Sequence, residues 1–395
     1  MAEKWTVGVV KGDIGAIGHN HVHREVLEAL EEELAKKAKG LLADYFVIHF
    51  GDDVGWVFST DLHPDEPKLH QCFMDIFWTV GERFEYMTYA TLQDFKERVE
   101  GVLNVSGMGP AIAALHWTPV HPGETVAVMG MDKTQPGSFN VPIMRMYADP
   151  WHTTLGLTND KNMRHGYTFE VWDTIDHKVS FFKMPEDLYK ALTFLAHPYR
   201  YCIKRVYANP GNRLRRPDEA ICCVSTEKVF EVKGEYAGKD DPVAITLLHS
   251  GAPPTGCLAN AFFNEPLFGA GWMNGSCYSP VCPTPMEETM CSINDGPIPL
   301  VILGFTVADD LTLHGFDGNG KYYDLCKHPA AKLAAERAIN LAHEMLSFGF
   351  IQPTLAEREI QEKTFREAVF RELEEEVEWK PLPKMPSLAG VPEKV

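Results

Sequence analysis

Four times along this chain an apolar, β-branched run meets a turn rich in glycine or proline, and each junction carries aspartate: "VVKGDIGAIGH", "IHFGDDVG", "VMGMDKTQPG" and "GKDDPVAITLL". Such a run reads as a strand, and the flanking Gly and Pro end it. The ends of strands are where α/β sheets gather their ligands. Taken singly, Asp13, Asp52, Asp53, Asp132, Asp240 or Asp241 would be a solvated turn residue. Taken together, they ask for a fold that brings several strand ends to one place and for something that balances their charge. Two carboxylates about 5 Å apart repel by roughly 3 kcal/mol at an effective dielectric near 20. Hard divalent cations answer that need, and Mg²⁺, which prefers oxygen ligands and tolerates shared carboxylates, is the natural one. Several Mg²⁺ ions would also give positive charge to a site that holds a phosphate.

The rest of the chain is acidic. Its 37 Lys and Arg against 55 Asp and Glu leave a formal charge of −18, which repels nucleic acid and anionic lipid alike. No apolar stretch approaches a membrane span, and the "MAEKWTVGVVKGD" start is not a signal peptide, so a cytoplasmic enzyme is expected. Nine cysteines without any Cys-x-x-Cys pair read as reduced thiols rather than metal ligands.

Periodicity gives a coarse map. A strand over "KWTVGVV" is followed by an amphipathic helix with Val26, Leu27, Leu30 and Leu34 on one face, and two strands broken at "GDD" complete a β-α-β-β start. A second helix over about 66–84 carries Leu69, Phe73, Ile76, Phe77 and Val80 at helical spacing. Strands follow over "GETVAVMGM" and "DPVAITLL", then a helix over "AAKLAAERAINLAHEMLSFG" closed by Gly349. This alternation predicts the α/β class, with residues 1–350 as one large catalytic domain. Residues 351–379 read as a C-terminal helical extension, charged and helical to Trp379, and 380–395 as a proline-rich mobile tail.

Two further groups bear on chemistry. His19, His21 and His23 alternate in "GHNHVH"; among so many oxygen ligands a soft-metal triad is a poor fit, and His19 alone is expected to join the carboxylates. Lys133 follows Asp132 and Lys239 precedes Asp240. An ordinary exposed lysine is neutral in only about one molecule in 2,500 at pH 7, but burial or nearby cations can lower its pKa enough for Schiff-base chemistry. Tyr236, three residues before Lys239, is placed to carry a proton, or else is a core tyrosine.

These segments, with "YATLQD", "NVSGMGP", "RHGYTFEVWD", "GEYAGKDDP", "GWMNGS" and "NDGP", resemble the fructose-1,6-bisphosphate aldolase/phosphatase family in order and over residues 5 to about 350. The resemblance implies a four-layer α-β-β-α sandwich assembled as a homo-octamer in gluconeogenesis. One site would condense dihydroxyacetone phosphate with glyceraldehyde 3-phosphate through a lysine Schiff base and then hydrolyse the 1-phosphate with Mg²⁺. By position, Lys239 would be the Schiff-base lysine and Tyr236 its acid/base partner. Asp13, His19, Asp52, Asp53, Gln93, Asp132, Asp240 and Asp241 would be metal ligands, and Tyr89, Lys133 and Asp295 would touch substrate.

The departures from the family pattern lie on the substrate side. Asn274 replaces an arginine that grips phosphate, Cys277 a histidine, Ser106 an arginine, Leu103 a glycine and His249 a glutamine. "SINDGP" lacks the arginine and aromatic before its aspartate, and "EREIQEKT" lacks a tyrosine. Three functions fit: a phosphorylated-sugar enzyme of the family type, a relative turned to another carbonyl substrate without a distal phosphate, and a silent assembly subunit.

Overall fold

The β-α-β-β start is present. Strand β1 (Trp5–Gly12) leads to helix α1 (Arg24–Lys37), β2 (Asp44–Phe50) and β3 (Asp53–Thr60), followed by α2 (Pro67–Arg83). The computed structural model describes residues 4–12, 22–84, 110–132, 134–198, 200–225, 227–228, 241–270, 278–290, 297–316, 318, 320–347 and 373–382. His23 ends the alternating run as a helix cap, its ring nitrogen accepting from the Glu25 amide at 3.3 Å. Helix α2 starts on a proline, where a missing N–H costs nothing, and buries the five apolar residues its spacing predicts.

Further along come β4 (Ala111–Trp117), β5 (Glu124–Met131), α3 (Asn140–Tyr147), α4 (Pro150–Asn159), β6 (Tyr167–Asp173), β7 (Lys178–Lys183), α5 (Leu188–Leu195), β8 (Tyr201–Ala208) and β9 (Ala220–Val224). The remainder is β10 (Glu227–Lys228), β11 (Val243–Leu248), α6 (Thr255–Phe263), β12 (Phe268–Ala270), β13 (Tyr278–Pro283), β14 (Ile298–Val307), β15 (Leu313–His314), β16 (Tyr323–Asp324), α7 (Pro329–Ser347) and β17 (Lys380–Pro381). A smaller sheet has the order β10-β4-β1-β3-β2, and a larger one β12-β13-β14-β5-β11-β9-β8-β6-β7-β17, with β15 and β16 added on β14. Among the described residues every pairing is antiparallel except β13 with β14.

Both sheets are covered on both faces. On the smaller one, Val10, Val54, Trp56 and Phe58 face α1 and α2, where they meet Val26, Leu30, Leu34, Phe73 and Phe77. Trp56 lies 5.4 and 4.7 Å from the rings of Phe73 and Phe77, pairs worth about 0.5–1.5 kcal/mol each beyond their area. The alternate residues Trp5, Val7, Val9, Phe50 and Val57 turn the other way and pack on the larger sheet, whose core also takes in Ile143, Leu258 and Phe262 of the remaining helices. The layers run α-β-β-α.

The antiparallel order decides where the strand ends go. β1 ends beside the start of β3, with Gly12 opposite Val54, and β5 ends beside the start of β11, with Gly130 opposite Val243. The two sheets touch there so closely that a Cβ on Gly130 would stand 2.4 Å from the Phe50 ring.

The C-terminal segment corrects one expectation. Its helical residues stop at Glu376 rather than Trp379, because the Trp379 ring packs on Phe182, Phe194 and Tyr201 at 6.3, 5.2 and 5.6 Å. That packing carries Lys380 and Pro381, the head of the expected mobile tail, into pairing with the edge strand β7. Seven described cysteines are free and buried, and burial pushes the Cys202 thiol up to about 12, away from the reactive thiolate form. No described helix is long and apolar enough to cross a membrane.

Candidate metal centre

At the seam between the sheets, Asp53, Asp132 and Asp241 each place a carboxylate oxygen within 4.8 Å of the others, and all three residues are buried. Their positions follow from the strands. Asp53 opens β3 on the face that continues through Val57 toward the larger sheet. Asp132 follows Gly130 on the side of β5 that meets Phe50, and Asp241 enters β11 two residues before Val243.

The surroundings hold each carboxylate in place. Asp241 sits at φ 46, a left-handed conformation that aspartate tolerates better than most residues, and it is locked to Thr134 from both sides. The Thr134 amide donates to Asp241 Oδ1 at 2.6 Å, and the Asp241 amide donates to the Thr134 carbonyl at 3.0 Å. The Asp132 amide reaches the Pro299 carbonyl at 3.4 Å. Gly51, at φ 61, passes directly over Asp132: a Cβ there would stand 2.2 Å from Asp132 Oδ2. Its own amide is fixed by Thr289 Oγ1 at 3.2 Å. The glycine of "FGDD" is thus needed for close approach as well as for its turn.

Lys11 completes the seam. It is fourth in the inward row Trp5, Val7, Val9, Lys11, and its ammonium pairs with the Asp53 carboxylate while donating to the Asp241 carbonyl at 2.6 Å. Sequence alone does not single it out, because a lysine at a strand end usually reaches water. Its place in an otherwise apolar alternate row was the available signal.

Three hard oxygen donors, buried and converging from different strands, suit a hard divalent cation. At ~5 Å and an effective dielectric near 20 each pair repels by roughly 3 kcal/mol, which a divalent cation offsets. Asp52 lies beside Asp53 at the turn, half-buried and outside that closest group of three. His249 lies elsewhere. It follows the far end of β11, about 25 Å from Asp241 at ~3.3 Å per residue, so within one chain it does not join the carboxylates. There its Nε2 meets Thr255 Oγ1 at 3.0 Å, and burial, then nearby His121, hold the imidazole below its ordinary range. Asp13, His19, Tyr89, Gln93, Lys133, Tyr236, Lys239, Asp240, Asn274 and Asp295 lie outside the described residues.

Comparison with known proteins gives the family. Residues 4–378 match the sequence profile of a family described as fructose-1,6-bisphosphatase. Proteins named fructose-1,6-bisphosphate aldolase/phosphatase are similar over nearly their whole length. That of Thermococcus onnurineus is 38% identical over 382 residues, covering 96% of this chain and 99% of the relative. That of Methanocaldococcus jannaschii is 35% identical over 379 residues, covering 94% and 92%. This chain belongs to the fructose-1,6-bisphosphate aldolase/phosphatase family.

Proposed function

We propose that this protein is a Mg²⁺-dependent enzyme of sugar phosphates that joins dihydroxyacetone phosphate to glyceraldehyde 3-phosphate and removes the 1-phosphate of the product. The observation that carries the reading is the buried cluster of Asp53, Asp132 and Asp241 at the seam. These three would hold metal, with Asp13, His19, Asp52, Gln93 and Asp240 completing the set that family resemblance assigns. When bound, Mg²⁺ supplies Lewis acidity and positive charge for a phosphate ester.

The chain's own groups account for the rest. Lys239, two residues before Asp241, is assigned the attack of its amine on the ketone of dihydroxyacetone phosphate, with loss of water to form the Schiff base. Tyr236 carries the proton between carbon and the aldehyde oxygen during condensation. Tyr89, Lys133 and Asp295 are assigned to substrate. His249 could reach a substrate only in the site of another copy, which the homo-octamer implied by the resemblance would provide.

Borohydride reduction in the presence of dihydroxyacetone phosphate should fix one adduct on Lys239, found by peptide mass spectrometry and lost in Lys239→Met. Phosphate release from fructose 1,6-bisphosphate should stop in EDTA. An unmodified lysine together with EDTA-insensitive hydrolysis would sink the assignment.

Asn274 favours a second reading. A neutral amide in place of arginine removes charge-assisted bonds worth about 1.5–3 kcal/mol, so the distal phosphate loses its grip and a carbonyl compound without it becomes the better substrate. Comparing kcat/KM for fructose 1,6-bisphosphate and for fructose 1-phosphate decides: a strong preference for the bisphosphate removes this version.

A further inference from the structure

Lys11 has no contact with solvent. An ammonium ion in such a place needs full compensation, or the burial of charge would drive the strand apart. The compensation is complete in number. The ammonium pairs with the Asp53 carboxylate, donates to the Asp241 carbonyl at 2.6 Å and approaches the Met131 carbonyl at 3.5 Å, which matches the three protons of the group. These partners stand at the start of β3, the approach to β11 and the end of β5. One lysine of the smaller sheet therefore ties both sheets together at the point where the carboxylates converge.

The charges make this more than a structural tie. Among the described residues, Asp53, Asp132 and Asp241 together carry −3 when ionised, and Lys11 offsets one of those charges. Without the lysine, Asp53 would lose this ion pair, and a metal-free cluster would hold its three carboxylates facing one another.

We propose that Lys11 is an internal counter-ion to Asp53, a positioning residue that keeps Asp53 and the Asp241 backbone in place while no metal is bound. This rests on the reading of the seam as a metal site. It assigns Lys11 a task that a packing residue would not have: its importance depends on whether metal is present.

Thermal unfolding of the wild type and of Lys11→Met, each in EDTA and in saturating Mg²⁺, tests that dependence. The variant should lose much more in EDTA than in Mg²⁺, so that its metal-induced rise in Tm is at least about twice the wild-type rise. Lys11→Arg, which keeps the charge, should behave more like the wild type. Equal losses in the two conditions would make Lys11 an ordinary structural residue and overturn the proposal while leaving the metal site intact. A wild type that shows no Mg²⁺ effect and binds no metal in calorimetry would overturn both.

Should Lys11→Met fold in neither condition, hydrogen exchange on the wild type decides. The amides of Thr134 and Asp241, which bind each other's residues across the centre, should stay protected after EDTA treatment. A hundredfold faster exchange on removal of metal would show that the ion, and not Lys11, holds the cluster together.

Discussion

Gly51→Ala tests whether Asp132 serves the site by its position. The residue sits at φ 61, where an alanine costs about 1–2 kcal/mol, and its new Cβ would stand 2.2 Å from Asp132 Oδ2 and 2.8 Å from Asp132 Cβ. No flexible end can give way, because Asp132 is short and buried, so the carboxylate must swing out of the cluster. Disturbing the orientation of a metal ligand typically costs 10–100-fold in affinity, or about 1.4–2.8 kcal/mol. Gly40→Ala is the control. It has the same left-handed backbone, φ 79, but nothing lies within 4 Å of the added Cβ. In EDTA both variants should lose the backbone term, and Gly51→Ala more, because its Cβ also displaces the buried Asp132 side chain. Calorimetric titration with Mg²⁺ should then show weakened binding for Gly51→Ala and wild-type binding for Gly40→Ala. Binding by Gly51→Ala within about threefold of the wild type would refute the argument that close approach of the loop sets the ligand.

Other consequences can be checked in the same protein. Arg215 holds Glu124 at 2.7 and 3.3 Å with both side chains buried, so Arg215→Met strands a carboxylate and should cost about 3–5 kcal/mol in urea denaturation. The double variant with Glu124→Leu should recover most of that, and metal affinity should not change, since Glu124 opens β5 and Asp132 follows its other end. Burial, helped by His63, lowers the His116 imidazole to about 4, while its unfolded value is near 6.5. Its contribution to stability is therefore whole above pH 6.5 and lost as the pH falls toward 4. His116→Gln should flatten that limb of the stability curve, and an unchanged slope would point to another group. Trp379→Ala should free the segment 373–382 and raise its proteolysis roughly tenfold, with Mg²⁺ binding intact; equal protease resistance would mean the ring is not the anchor.

How much of the molecule is legible in its sequence depends on range. The strands that begin or end at Asp53, Asp132 and Asp241, and the helix burying Phe73 and Phe77, follow from local period and turn residues, and they appear where expected. The pairing of β14 with β5, or of β6 with β8, joins segments far apart in the chain, and no local pattern encodes it. Lys11 escapes notice for a related reason. Its surroundings are made by β5 and β11, and a row of alternate residues shows which way a side chain points but not what covers it. Trp379 overrides a helical pattern by tertiary packing, which local propensity cannot anticipate. His249 reads as near to Asp241 in sequence, yet an extended strand turns eight residues into a long separation.

The seam draws its charged groups from residues 11, 53, 132 and 241, divided between two sheets. On the ribosome, then, no early fragment of this chain can assemble the three converging carboxylates: the smaller sheet's first strands would emerge with Asp53 and Lys11 and wait for β11. Closure of this cluster is a late event in the life of the polypeptide. It reports that two separately built sheets have met in register.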